Sequence, residues 1–365
     1  MQGTVLFVGP GRGAIRRAEE LGLRVVVAPE LDEVETLLEL ARREGIDGVV
    51  TSPDDAAVSL VAAAAEALGL PGIGVETAHL LTNKIAMRRR FAEQGVAQPS
   101  FAAVRALQDA RAGFGTVGAP SVLKPADSSD PRGVFRLTSV DDLEAHLHAA
   151  LAASVDGEAI VESFHDGLAL NALAIVRDGE ARLLTLFDRP HPWAHVYPTT
   201  LFADALELTE STVVAALHAL ELENGVAFLE LIVSDDAEVR VVDVAAGMPG
   251  AQTAELVRHA IGVDVIEIAL LQALGQHVPD ALVEPRFSQP VALKFLAVEP
   301  GRVHSVGTLD KVLAFPGVVG ADVFVEPGET VREDRRGYVI AVADTNLEAL
   351  ERSEAAATLV DVVVE

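Results

Sequence analysis

Short, wholly apolar runs alternate with amphipathic segments through the first 80 residues, and this rhythm restricts the fold more than any other feature. Residues 4–9 (TVLFVG), 25–28 (VVVA) and 47–52 (DGVVTS) read as strands, and PGIG at 71–74 leads a fourth. A run that is apolar at every position suits a parallel strand covered on both faces. The intervening segments 13–21, 31–44 and 55–68 have helical spacing. Strand and helix exchanging at this pace predict a doubly wound parallel sheet over residues 1–80.

The remainder reads as α+β, in two units over 81–167 and 168–365. The first opens on a linker helix, 83–95, with Asn83 as N-cap and Gly95 as C-cap. Strands follow at 99–104, 121–126 and 158–164, with a helix at 139–152. The second unit holds a hairpin turning at Asp178-Gly179, a helix over 209–224, a hairpin turning at Asp236-Ala237, and helical residues 252–275. Its tail adds strands near 291–298, 322–325 and 338–342 and a helix near 346–358.

A chain of 365 residues suffices for two or three domains of about 150 each. Its 55 acidic residues outnumber 28 basic ones, for a net charge of -27. That excludes a general nucleic-acid or anionic-membrane binder, which needs a surplus of Lys and Arg. An anionic small ligand requires a local basic nest against this field. With no cysteine, disulfides, thiolate catalysis and cysteine-held metals are excluded. The sequence shows no signal-like leader and no apolar run of bilayer length, so a soluble cytoplasmic protein is the expectation. If copies associate, a homodimer is the commonest form.

Only four lysines occur, which makes each position informative. Lys84 starts a helix, where a cation opposes the dipole; Lys124 lies in an apolar strand, where an unpaired ammonium is costly. Phosphate oxygens would explain both. So would a solvated helix face for Lys84 and a strand-end side chain reaching water for Lys124. Ser128, Ser129 and Arg132 belong to a small, polar stretch that could close over phosphates as a flap, or simply turn. With Asp236 and Ala237 as the turn, Glu230 and Asp243 fall opposite each other on one face of the hairpin. Two such carboxylates in apolar strands suit a shared Mg2+, or else meet solvent or an arginine.

Two other stretches draw notice. Gly9-Pro10-Gly11-Arg12-Gly13 follows the first strand and opens a helix, a context for anions, with Glu30 at ribose-ligand spacing; a plain βα turn needs the same glycines. Residues 188–198 carry Arg189, His191, the sole tryptophan Trp193, and His195. They read as a binding loop between strand and helix, or as a loop packed on its own aromatics.

Taken in order, these pieces resemble the ATP-grasp superfamily, and within it carboxylate–amine ligases similar to bacterial L-amino-acid ligases. The resemblance rests on Asn83-Lys84 with Met87-Arg88, Gly95 and Pro99, and on Val122-Leu123-Lys124-Pro125-Ala126-Asp127 with Arg132-Gly133-Val134. It rests further on Ile160-Val161-Glu162, Leu229-Glu230-Leu231, Val242-Asp243-Val244 and Gly337-Tyr338-Val339-Ile340-Ala341. It implies an ATP-grasp fold with a pre-grasp domain (1–80), a lid (81–167) and a large C-terminal domain (168–365). It also implies ATP held by Lys84, Lys124, Ser128, Ser129 and Glu162, and Mg2+ held by Glu230 and Asp243. The partners would be a small-molecule carboxylate and amine, with His191, Trp193 and His195 lining their pocket.

The departures fall at the chemistry. The family pattern at the second metal-bearing strand is Glu-x-Asn-x-Arg, where this chain reads Asp243-Val244-Ala245-Ala246-Gly247. The missing arginine would have to be replaced, with Arg132, Arg189 and Arg258 as candidates. One reading is an ATP-dependent ligase that forms an amide through an acyl-phosphate. Another is a catalytically degenerate relative that binds a ligand or a partner subunit. A dinucleotide-dependent enzyme built on Gly9–Gly13 is a third, and the later motifs count against it.

Overall fold

A computed structural model describes residues 1–9, 11–28, 33–51, 55–128, 132–331 and 335–365. Pro10, Glu30 and Ser129 lie outside the described residues. The chain begins with β1 (Thr4–Val8), α1 (Arg12–Glu20), β2 (Arg24–Ala28), α2 (Val34–Glu44), β3 (Gly48–Thr51) and α3 (Asp55–Leu68). The three strands are parallel, in the order β2-β1-β3. Leu6 and Val8 of β1 pack under α2 and α3, while Val5 and Phe7 join α1 and two later helices, so the run is apolar throughout. Gly13 serves packing: a Cβ there would lie 2.4 Å from that of Ala251, so the glycine lets α1 press against the C-terminal part.

The expected fourth strand is absent among the described residues. The chain passes from PGIG into α4 (Val75–Thr82), whose Leu80 and Leu81 bury in a core shared with later strands. That burial draws the segment away from β3, which remains an edge.

The linker helix α5 (Lys84–Gln94) is capped as expected. Asn83 accepts from the Ala86 N–H at 3.0 Å, and Gly95 is left-handed. Then come β4 (Phe101–Val104), α6 (Leu107–Val117), β5 (Ser121–Pro125), β6 (Phe135–Leu137), α7 (Val140–Ala152) and β7 (Ala159–Ser163). The strands form an antiparallel sheet, β4-β7-β5-β6. Helices α6 and α7 cover the face bearing Leu123, Ala159 and Val161. Strand alternation therefore turns Lys124 and Glu162 to the other face.

The third part runs β8 (Leu168–Arg177), β9 (Glu180–His191), β10 (Ala194–Tyr197), α8 (Ala203–Ala219), β11 (Gly225–Val233), β12 (Val239–Ala246), α9 (Ala251–Ile261), α10 (Val265–Ala273) and α11 (Asp280–Val283). It ends with β13 (Val291–Ala297), β14 (Gly301–Val306), α12 (Asp310–Leu313), β15 (Val318–Val323), β16 (Thr330–Val331), β17 (Arg335–Val342), α13 (Asn346–Ala357) and β18 (Val362–Val364). Eight strands make one sheet, β12-β11-β8-β9-β10-β13-β17-β15, and β16-β14-β18 make a small one. No helix among the described residues is long and apolar enough to cross a membrane.

Three sequence expectations are corrected here. Helix α8 begins at Ala203 rather than 209 and ends before 220. The helical stretch 252–275 is two helices, because Asp264 caps α10 afresh by accepting from the Glu267 N–H. Residues 188–198 are not a loop, since β9 runs through His191 and β10 takes Ala194–Tyr197, pairing with β9 and β13.

One side chain ties these parts together. Arg88 on α5 is fully buried. Its Nε donates to Glu162 Oε1 at 2.8 Å, Nη1 to the Val241 carbonyl at 3.1 Å and Nη2 to the Val242 carbonyl at 2.5 Å. Removing this guanidinium leaves Glu162 buried with one cation fewer. Arg88→Met should lower unfolding free energy by about 3–5 kcal/mol, read as a lower urea midpoint at unchanged slope.

Candidate functional site

The cleft lies between the open face of the β4-β7-β5-β6 sheet and the eight-stranded sheet, and has a volume of about 330 Å³. Lys84, Lys124, Ser128 and Glu162 line one side, and Arg189, Glu230 and Asp243 the other. Lys84 is the first residue of α5, and its side chain is only 9% exposed. Its Nζ donates to the Ser128 carbonyl at 3.0 Å and lies 3.9 Å from Asp243 Oδ2. These oxygens offset its unfavourable place at a helix N-terminus.

Lys124 Nζ lies 2.7 Å from Glu162 Oε2. Glu162 is thus held between Lys124 and Arg88. Burial pushes its carboxyl up, but the Lys124 and Arg88 charges, with their hydrogen bonds, outweigh burial and hold it at about 2. The carboxylate is thus engaged within the protein by both cations. Nearby, His165 is held below the usual histidine range, first by burial and then by the Arg240 charge. It shares a 2.7 Å hydrogen bond with Ser163 Oγ.

Glu230 pairs with Asp243 across β11 and β12, as expected, but by another route. The turn is not the two residues Asp236-Ala237. Val233 opposes Val239, and the Ser234 N–H donates to the Glu238 carbonyl, so the loop holds three residues. That register alone would set Glu230 against Val242 and turn Asp243 to the opposite face. A bulge at Val242 restores the pairing. The carbonyls of Val241 and Val242 are the two that Arg88 binds.

The other candidates separate. Arg189 Nη1 forms an ion pair with Glu230 Oε2 at 3.0 Å. Arg132 is exposed and outside the cleft wall. Arg258 lies on α9, half-exposed, 3.8 Å from Glu255. None of His191, Trp193 and His195 lines the cleft. His191 meets Glu354 of α13 at 3.2 Å, Trp193 packs on the central core, and His195 is buried edge-on against Phe295.

Two buried polar groups were assigned no role from the sequence. Asn171 lies across from Glu230 in register, and its Nδ2 is 2.9 Å from His195 Nε2; nothing in its local sequence marks it. Arg88 left a trace. It follows Lys84 by four residues, and like charges at that spacing repel on a helix unless carboxylates meet them.

Glu162 makes the fold acid-sensitive. Its carboxylate is favoured in the folded chain, so its contribution is complete above the ordinary value of 4.5 and fades as pH falls to about 2. The difference in unfolding free energy between wild type and Glu162→Gln should shrink across that window by on the order of 3 kcal/mol, measured by urea unfolding at stepped pH.

Comparison with known proteins agrees with this architecture. Residues 31–72 match the ATP-grasp N-terminal domain, and residues 294–365 match the L-amino acid ligase C-terminal domain 2. Alanine–anticapsin ligase of Bacillus subtilis is 24% identical over 269 residues, covering 66% of this chain and 57% of that protein. D-alanine–D-alanine ligase of Gloeobacter violaceus is 28% identical over 219 residues, covering 54% of this chain and 70% of that one. The chain spans between 57% and 65% of the length of the first curated relatives it matches. The crystal structure of L-amino acid ligase from Bacillus licheniformis superposes with a TM-score of 0.84 at 19% identity, over 100% of this chain and 99% of that one. The fold and the two matched segments agree: the chain has the fold of the L-amino acid ligase structure, and its residues 31–72 and 294–365 are similar to the ATP-grasp N-terminal domain and the L-amino acid ligase C-terminal domain 2.

Proposed function

We propose that this chain is an ATP-dependent carboxylate–amine ligase, forming an amide through an acyl-phosphate and releasing ADP and phosphate. The observation that carries this reading is the cleft, with Lys84 and Lys124 facing Glu230 and Asp243. The two lysines hold phosphate oxygens. Glu162 orients Lys124, and the Ser128 carbonyl orients Lys84. Two carboxylates on one face fit a single hard cation, completed by phosphate oxygens and water. Bound there, Mg2+ would stabilise charge on the transferring phosphoryl group.

A substrate carboxylate oxygen attacks the γ-phosphorus, and the bond to the β,γ-bridging oxygen breaks to release ADP. The amine nitrogen attacks the acyl carbon and loses a proton, and the C–O bond to phosphate breaks. The protein contributes position and charge. Of the three candidate arginines, Arg189 alone lines the cleft.

A substrate side chain has a natural seat. Beyond Asp243, β12 leads to a cavity of about 700 Å³ between β3, residues 71–73 and the Val226 and Met248 side chains. It occupies the flank of β3 where a fourth strand was expected. Valine and alanine side chains and Ile73 line part of it, and Arg177, Asp178, Glu180 and His277 are among its polar neighbours, which suits an amino acid carrying both apolar and charged groups. We therefore assign substrate recognition to this cavity rather than to His191, Trp193 and His195.

The degenerate reading has its own support. Ala245 is exposed on the Asp243 face without a ligating group, and Gly247 has φ 126°, a conformation that disfavours putting an arginine back. ADP release decides between them. With Mg-ATP and a panel of amino-acid pairs, wild type should release ADP, and Lys124→Ala should do so about 100-fold more slowly. Absence of ADP release with every pair would favour the binding protein. Ile73→Trp, at the cavity wall, should raise KM for a large apolar substrate about tenfold while leaving ATP affinity within about twofold.

A further inference from the structure

Arg189 stands where the cleft most needs a cation. It comes from β9, two strands away from the β11 carboxylate it meets, and its side chain is 20% exposed. Its Nη1 is 3.0 Å from Glu230 Oε2, yet among the described residues its N–H groups make no aligned hydrogen bond. The guanidinium thus neutralises Glu230 while its donor fork remains open to the cleft. Asp243 is similarly provided for, with Lys84 at 3.9 Å and its own Oδ1 accepting from the Val244 N–H. Among the described residues, no group of three or more His, Asp or Glu side chains is placed to hold a metal ion.

The charge balance turns on this residue. Lys84, Lys124, Arg189 and the underlying Arg88 stand against Glu162, Glu230 and Asp243, one positive charge in excess within a chain of -27. Without Arg189 the cleft carries no excess, and Glu230 faces an incoming polyphosphate unscreened.

We propose that Arg189 is a built-in counter-cation for Glu230, serving that carboxylate as a divalent ion otherwise would, so that polyphosphate binding in this cleft is largely independent of divalent metal. This rests on reading the cleft as a nucleotide site. Arg189 acts here as a positioning residue that keeps Glu230 from repelling phosphate; one hard cation at Asp243 and Glu230 is then needed for phosphoryl transfer and not for capture.

The test is calorimetric titration of a non-hydrolysable ATP analogue into the full chain, in saturating Mg2+ and in EDTA. Wild-type Kd should differ by less than about fivefold between the two conditions. Arg189→Gln should weaken binding at least about tenfold in EDTA but less than about threefold in Mg2+, and Arg189→Lys should restore most of the metal-free affinity. Glu230→Gln, which removes the charge that Arg189 offsets, should strengthen binding in EDTA. Wild-type binding that falls about 100-fold or more in EDTA, or equal losses for Arg189→Gln in both conditions, would overturn the proposal and leave the ligase reading standing. No binding in either condition would overturn the nucleotide-site reading itself.

Discussion

The site depends on a one-residue bulge and on the buried cation that holds it. Period-two alternation makes β-sheet register binary: a slip of one residue exchanges faces. The β11–β12 hairpin turns so that Glu230 would oppose Val242, and the bulge at Val242 brings Asp243 round instead. Arg88 binds the carbonyls of Val241 and Val242 and, through Nε, the Glu162 carboxylate that pairs with Lys124. One guanidinium on the linker helix therefore connects the backbone irregularity behind the acidic pair with the lysine across the cleft. A planar fork with donors in fixed directions can do this, and a flexible ammonium cannot.

The electrostatics of the cleft are local. The chain as a whole repels anions, yet each acidic group at the cleft has a basic neighbour within 4 Å: Glu162 has Lys124 and Arg88, Glu230 has Arg189, and Asp243 has Lys84. Such pairing offsets each carboxylate locally and keeps the site from being anionic. Under the proposed ligase function it would also separate binding from chemistry: phosphate capture would draw on the protein's own cations, and phosphoryl transfer on a Lewis acid held by the two carboxylates.

Much of the framework was legible. The apolar run of β1, the caps Asn83 and Gly95 and the turn at Asp178-Gly179 are set by local propensity, and local propensity acts within a few residues. The row of motifs from Lys84 to Asp243 was legible through its order along the chain. What failed was set by long-range burial. PGIG resembles a strand lead, but the next segment buries its leucines elsewhere. The stretch 188–198 reads as a loop from its cluster of aromatics and histidines between strand and helix, yet β9 and β13 pair with it and make it strand. The Glu230–Asp243 pairing was anticipated from a turn that does not form; the bulge compensates for that difference, and only the partner strand and Arg88 determine where a bulge sits.

The sequence by itself determined the alternation of elements, the placement of scarce lysines at positions hostile to them, and the absence of a side chain at Gly247. Each follows from residue type and from neighbours within one element. The tertiary structure alone decided which charges meet. Arg189 reaches Glu230 from 41 positions earlier in the chain, and Arg88 reaches Glu162 and Val242 across 74 and 154. No local propensity encodes such encounters, because they depend on how whole sheets stack and how strands register. The residue types were present to be read, but their partners came into being only when the sheets closed on each other.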